Sequence, residues 1–289
     1  MRSSLPGRLV KPLGRFVLQH WVRHEELVRV RQQIRYLALA ELLSRHKEEL
    51  PDLTLYELSV FSQNGEDGVL QEILRRLGIH RGSFVEIGAS SNEANCLVLA
   101  DVFGWRGVVL EADEEEYAKL ARKYVHVPSV RVVRMLVNRD NLTPDFFHSL
   151  GIPPEIDVLS IDIDGNDYWV WSGQTYLKPA VVVIEFNSEL DPGQEVVQPY
   201  APDRPWTGGA FFGASLGAMR KLARERGYRL VHVDLTGTNA FFVRSELVAT
   251  RFPPEDEIVV RAANYFLYGF RHGEPRPDDP YVNLRDGSP

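Results

Sequence analysis

Cysteine is nearly absent from this sequence. Cys96 is the only one in 289 residues, so neither an intrachain disulfide nor a cysteine-built metal cluster is possible, and a reducing, cytoplasmic compartment is the expected home. Long apolar runs are missing as well. None approaches the roughly 18–20 residues that a membrane-spanning helix requires. The basic N-terminus is not followed by an unbroken apolar stretch with a small-residue cleavage site, so no signal peptide is expected. Positive charge is scarce after the first fifty residues: 51–289 hold 23 Lys and Arg against 35 Asp and Glu. Phosphate contacts need clustered cations, so an acidic body argues against a nucleic-acid partner.

What remains is an ordinary globular composition, 44% hydrophobic and 25% charged. That is enough for one sizeable domain with its own core, plus appendages. Residues 1–50 reverse the charge, with 10 Lys and Arg against 5 Asp and Glu. After a Pro- and Gly-containing leader, Leu27, Val30, Ile34 and Leu37 recur at three- and four-residue steps, which predicts an amphipathic helical extension. Such a face packs on the main domain or on a second copy of the chain. Arg15 and Arg23 around Trp21 leave a peripheral membrane contact open as well.

From residue 51 to about 270 the pattern alternates. Short apolar strands are expected at Ser83–Ile87, Gly107–Leu110, Val130–Val137, Asp157–Ile161 and Ala180–Phe186, with helical segments between them. This is the signature of right-handed βαβ units and a parallel sheet. Ser215–Gly227 then reads as a helix. Arg229–Asp234 and Ala240–Val243 follow, separated by too few residues for a parallel crossover, so they must pair antiparallel. The expectation is an α/β, doubly wound, mostly parallel seven-stranded Rossmann-like sheet. The Pro-, Asp- and Gly-rich residues 271–289 are expected to form a loosely ordered tail.

In an open α/β sheet, ligands sit at the carboxyl ends of the strands, and here every such end is polar. The first closes on Glu86, Gly88, Ala89 and Ser90, small enough for a backbone to approach a ligand. Ser90 and Asn92 stand where a glycine-rich turn would continue, so a plain structural turn fits equally well. The second strand ends in Glu111 and Ala112. An acid there is placed to accept ribose hydroxyls, whereas Asp113 reads better as a helix cap. The third ends in Asn138, the fourth in Asp162-Ile163-Asp164-Gly165-Asn166-Asp167, and the fifth in Glu185-Phe186-Asn187. Three aspartates in six residues repel one another unless something positive lies among them. Asp162, Asp164, Glu185 and Asn187 together offer hard oxygen ligands for Mg²⁺. The alternatives are a carboxylate site for substrate, or a turn and helix cap. His232, inside an apolar strand, is a candidate base beside Asp164, though a lone strand histidine is more often simply packed. Tyr200, Trp206, Phe211 and Phe212 lie in an aperiodic stretch suited to an acceptor lid.

The strings Phe61-Ser62-Gln63-Asn64-Gly65-Glu66-Asp67, Phe84-Val85-Glu86-Ile87-Gly88-Ala89 and Gly104-Trp105-Arg106-Gly107, followed by the aspartate cluster, resemble FkbM-type methyltransferases over roughly residues 61–244. The resemblance implies the seven-stranded sheet of the class I, S-adenosylmethionine-dependent superfamily. It also implies O-methylation of a sugar or natural-product-type acceptor. Gln63 and Glu66 would lie near the methionine end of the cofactor, Glu111 on its ribose, and Asp162 beside them. Asp-Ile-Asp also resembles the metal motif of nucleotide-sugar glycosyltransferases and, more distantly, the nucleophile motif of haloacid dehalogenase-type phosphatases. A non-catalytic binding protein on the same shell is the third class.

Overall fold

The computed structural model describes residues 52–202, 209–260, 276 and 278–286, together with Val30, Ile34, Leu37, Ala38, Ala40 and Glu41. The chain forms two compact units, Met1–Lys47 and Glu48–Pro289. In the first unit the six described residues are helical, and Val30, Ile34 and Leu37 are exposed. The remainder of the expected extension, including Arg15, Trp21, Arg23 and Leu27, lies outside the described residues. Among those described, no helix is long and apolar enough to cross a membrane.

The second unit carries the sheet. In chain order the strands are β1 (Ser83–Ile87), β2 (Arg106–Glu111), β3 (Val130–Arg134), β4 (Glu155–Ile161), β5 (Lys178–Glu185), β6 (Val196–Val197), β7 (Tyr228–Val233), β8 (Asn239–Arg244) and β9 (Val282–Asn283). The helices are α1 (Glu66–Leu77), α2 (Leu97–Asp101), α3 (Glu114–Tyr124), α4 (Pro144–Ser149), α5 (Asp167–Gly173), α6 (Leu216–Glu225) and α7 (Ser245–Val248). The main sheet runs β3-β2-β1-β4-β5-β8-β7. Its first five strands are parallel, and β8 is inserted antiparallel between β5 and β7. The chain order reverses between β1 and β4, so the crevice outside those two strands is the switch point where an open sheet binds its ligand.

Local chemistry explains where these elements start and stop. Asp113 caps α3 by accepting from the N–H groups of Glu115 and Glu116. Thr143 caps α4 with Pro144 in its first turn, and Ser215 caps α6. Gly78 ends α1 in the left-handed region, φ 74°. Val181, Val182, Val183 and Ile184 are all fully buried. Successive strand residues face opposite sides, so the sheet is covered on both faces. On one face Ile87, Ile161 and Ile184 pack with Phe147, Trp171, Met219 and Leu222.

The tail corrects one expectation. Where a loose segment was expected, Val282–Asn283 pairs antiparallel with Val196–Val197. The Tyr281 hydroxyl accepts from the Phe212 N–H and lies 3.2 Å from the Ala210 and Phe212 carbonyls. Composition suggested disorder because the segment has little apolar surface of its own. Residues 281–283 are held by β6 and by the backbone of Ala210 and Phe212, partners that no local pattern records, and residues 271–275, 277 and 287–289 lie outside the described residues.

Candidate active site

A cavity of about 780 Å³ opens at the switch point. It is lined by the ends of β1, β2 and β4, by residues following β3, and by Gln63 and Pro202 from flanking segments. Of the residues singled out in the sequence, Gln63, Gly88, Ala89, Ser90, Glu111, Ala112, Asp162 and Asp164 meet there. Glu66, Glu86, Asn138, Glu185, Asn187 and His232 are not on its wall.

The β1 end is built around one glycine. Gly88 has φ 80°, a region that side-chain-bearing residues rarely enter. A Cβ there would overlap the Asp162 carbonyl oxygen. The Gly88 N–H donates to Leu110 O at 2.9 Å, and the Asp162 N–H to Ile87 O at 3.0 Å, so the turn is locked to both neighbouring strands. A further glycine is unnecessary, because Ser90 closes the turn itself. Its Oγ accepts from the N–H of Glu93 at 3.1 Å.

Glu111 is half-buried at the end of β2. Its Oε2 accepts from the Ala89 N–H at 3.1 Å and its Oε1 from the Asp113 N–H at 2.6 Å. Burial holds its carboxyl above the ordinary range, against the pull of those backbone donors. Both oxygens are thereby fixed in orientation, and each retains a lone pair for a ligand hydroxyl. Glu116 was not foreseen. It accepts from the Ser91 N–H at 2.8 Å and joins α3 to the β1 turn.

Several acids are scaffold. Glu86 is buried and caps the approach to α2, accepting from the N–H groups of Asn95 (2.7 Å) and Cys96 (2.8 Å). Asp67 gathers the N–H groups of Val60, Phe61 and Ser62, each at 2.7–2.8 Å, on one oxygen. That fold-back presents Gln63 to the cavity. Glu66 accepts from the Asn64 N–H (2.7 Å) and the Asn239 amide (2.8 Å). Asn138 exchanges hydrogen bonds within the turn it begins, with Asn141 and Asp140.

His232 is nearly buried, with its Nε2 3.0 Å from Glu57 Oε1 and its ring beside Phe241. It sits on β7, the edge strand, two strands beyond β5. The sequence made it a candidate base inside an apolar strand, but it does not line the cavity.

Asn187 also serves a structural purpose. Its Nδ2 donates to Ala210 O (2.9 Å) and Phe212 O (3.0 Å), and its Oδ1 accepts from the Glu189 N–H at 3.0 Å. These bonds tie Asn187 to the segment after β5 and occupy both atoms of its amide. Asn187→Ala is expected to lower stability by about 1–3 kcal/mol, the cost of leaving buried carbonyls without a donor. The same variant should make residues 209–214 more susceptible to proteolysis, and unchanged susceptibility there would contradict the assignment.

The remaining candidates, Asp162, Asp164 and Glu185, do converge. Each offers one carboxylate oxygen within 4.8 Å of the others. The loop between β4 and α5 makes this possible. Asp167 accepts from the N–H groups of Ile163 (2.9 Å) and Gly165 (2.8 Å), and Asp164 takes φ 55°. Glu185 Oε2 is buried with no hydrogen-bond partner among the described residues. Burial, then the charges of Asp167 and Asp164, push Asp162 well above the usual carboxylate range. Burial and Asp162 do the same to Glu185.

Burial also raises Glu86, Asp167 and Asp234 to about 7. Each of these carboxyls keeps its proton in the folded chain after the unfolded chain has lost it. The folded state therefore binds more protons between about pH 4 and pH 7, and stability must fall as pH rises through that window. The ligand-free chain should melt at a lower temperature at pH 8 than at pH 5.5. A higher Tm at pH 8 would contradict the burial of these groups as acids.

The strand order and the single antiparallel insertion define a mostly parallel, seven-stranded Rossmann-like sheet, as expected from the sequence. No protein-family model matches the chain, and no curated protein does. Solved structures similar to it include the N-terminal domain of EvdMO1 with SAH bound, 15% identical over 64% of this chain and 81% of that one, TM-score 0.42. Another is the Methanococcus jannaschii fibrillarin pre-rRNA processing protein, 12% identical over 57% and 67%, TM-score 0.40. A third is a SAM-dependent methyltransferase from Aquifex aeolicus, 10% identical over 60% and 88%, TM-score 0.36.

Proposed function

We propose that this chain is an S-adenosylmethionine-dependent methyltransferase of the FkbM type. Its acceptor would be a hydroxyl on a sugar or natural-product-type small molecule, with a divalent cation such as Mg²⁺ assisting. The observation that carries the reading is the charge of the cavity at the switch point. Six carboxylates line it, from Glu93, Glu111, Asp113, Glu116, Asp162 and Asp164, and no Lys, Arg or His does among the described residues. Such a wall suits a cofactor that carries a sulfonium and an ammonium. It repels the diphosphate of a nucleotide sugar.

The residues present fit that cofactor. Glu111, held by two backbone donors, would take the ribose hydroxyls, and Met135, Leu136 and Val137 offer an apolar wall for the adenine. Gly88, Ala89 and Gln63 would flank the methionine portion. When bound, the cofactor supplies an electrophilic methyl group. The chain's part is to orient the acceptor oxygen and to remove its proton.

The carboxylates of Asp162, Asp164 and Glu185, with the buried unpartnered Glu185 Oε2, fit a hard divalent cation. A cation there would lower the acceptor hydroxyl's pKa, and Asp164, exposed and next to the cavity, is placed to accept the proton. Positioning accounts for most of the acceleration in such a transfer.

The test is capture of the full chain on immobilised S-adenosylhomocysteine (SAH) against immobilised nucleotide sugars, with and without Mg²⁺. Retention by SAH alone is expected. Retention by the nucleotide sugar alone would replace this reading with a glycosyltransferase. Replacing Glu111 by Ala removes two hydrogen bonds to a charged acceptor, each worth about 1.5–3 kcal/mol, and should weaken SAH retention at least tenfold.

A further inference from the structure

Resting on the divalent-cation reading above, we infer that Asn239 contributes its side-chain oxygen to the cation held by Asp162 and Glu185, and that Glu66 turns it into place. Strand register sets the three residues in a line. Ile161 on β4 is the partner of Ile184 on β5, so Asp162 and Glu185 are the next residues along on either strand. Glu185 is itself the register partner of Asn239, the first residue of β8. Partners directly opposite one another project from the same face of a sheet. Asp162, Glu185 and Asn239 therefore close three adjacent strands with oxygen-bearing side chains in one row.

The orientation of the Asn239 amide follows from its neighbour. Its Nδ2 lies 2.8 Å from Glu66 Oε1, and a carboxylate only accepts. The nitrogen must face Glu66, which leaves the oxygen turned elsewhere. That Oδ1 is buried, on a residue 1% exposed, and has no hydrogen-bond partner among the described residues. Glu185 Oε2 shares that condition. Buried polar atoms are seldom left without a partner, and here two of them belong to residues paired across β5 and β8. Carboxylate and amide oxygens are what Mg²⁺, Ca²⁺ and Mn²⁺ take. The amide expected at this site from the sequence, Asn187, has its nitrogen and oxygen bonded to the loop after β5, whereas Asn239 Oδ1 has no partner among the described residues. Its cue in the sequence, Thr236-Gly237-Thr238-Asn239, reads as a hairpin turn and nothing more.

The test is Mn²⁺ binding to the full chain without cofactor or acceptor, followed by loss of the free Mn²⁺ spin-resonance signal. The wild type should bind one ion, and Asp162→Asn should abolish binding. Asn239→Leu should weaken it about tenfold or more, the scale on which metal-site partners act, and Asn239→Asp should retain it. Circular dichroism and thermal melts report whether each variant is folded. If Asn239→Leu does not fold, the wild type still decides: the Asn239 side-chain amide resonance, identified by its loss in Asn239→Asp, should shift with Mg²⁺ and broaden with Mn²⁺. Binding that Asp162→Asn removes, with an unmoved Asn239 amide or full affinity in Asn239→Leu, overturns the role of Asn239 and leaves the cation site standing. No Mn²⁺ binding by the wild type overturns both.

Discussion

Gly88→Val is expected to cost about 3 kcal/mol or more and to abolish SAH binding. Two penalties add. The left-handed backbone at φ 80° costs a side-chain-bearing residue about 1–2 kcal/mol. Forcing atoms into a packed space costs a further 1–3 kcal/mol or thereabouts, and here the obstacle is the Asp162 carbonyl, backbone that cannot rotate away. Relief requires β1 and β4 to separate at their carboxyl ends. That movement breaks the hydrogen bond from Asp162 N–H to Ile87 O, and with it the floor of the cavity. Urea unfolding together with SAH titration measures both effects. Wild-type stability in Gly88→Val would show that the turn does not have this conformation.

Asp162→Asn is expected to do the opposite to stability. In the absence of a cation, the Asp162 carboxylate is opposed by its burial and by the charges of Asp167, Asp164, Glu66 and Glu86. Asparagine has nearly the same shape without the charge. The ligand-free variant should therefore melt higher than wild type, by about 2–4 °C for each kcal/mol of repulsion relieved in a domain of this size. The effect should grow from pH 5.5 to pH 8 as more of the wild-type cluster ionises. Mg²⁺ should raise the wild-type Tm and leave that of the variant unchanged. Glu185→Gln should behave in the same way. A variant that melts lower and still responds to Mg²⁺ would show that Asp162 is a structural acid.

The strands were legible in the sequence because a buried parallel sheet needs continuous apolar runs, and Val181–Ile184 supplies one. The antiparallel pairing of β7 and β8 was legible because five residues cannot carry a parallel crossover. Glu111, Asp162 and Asp164, the acids that terminate β2 and β4, all line the cavity. Glu86, Asn187 and His232 do not line the cavity, and they share a reason. A polar residue near a strand end has the same local sequence whether it faces a ligand or holds a distant backbone. Only partners far along the chain separate the two: Asn95 and Cys96 for Glu86, Ala210 and Phe212 for Asn187, and Glu57 for His232. Asn239 escaped notice by the converse route, because its neighbours Glu66 and Glu185 lie 173 and 54 residues away in sequence.

The most direct test of the account is calorimetric titration of the full-length chain with SAH, with and without Mg²⁺, beside the Glu111→Ala variant. One SAH per chain is expected, with a raised Tm on binding and at least tenfold weaker binding in the variant. Absence of both heat and stabilisation, with and without Mg²⁺, would contradict it.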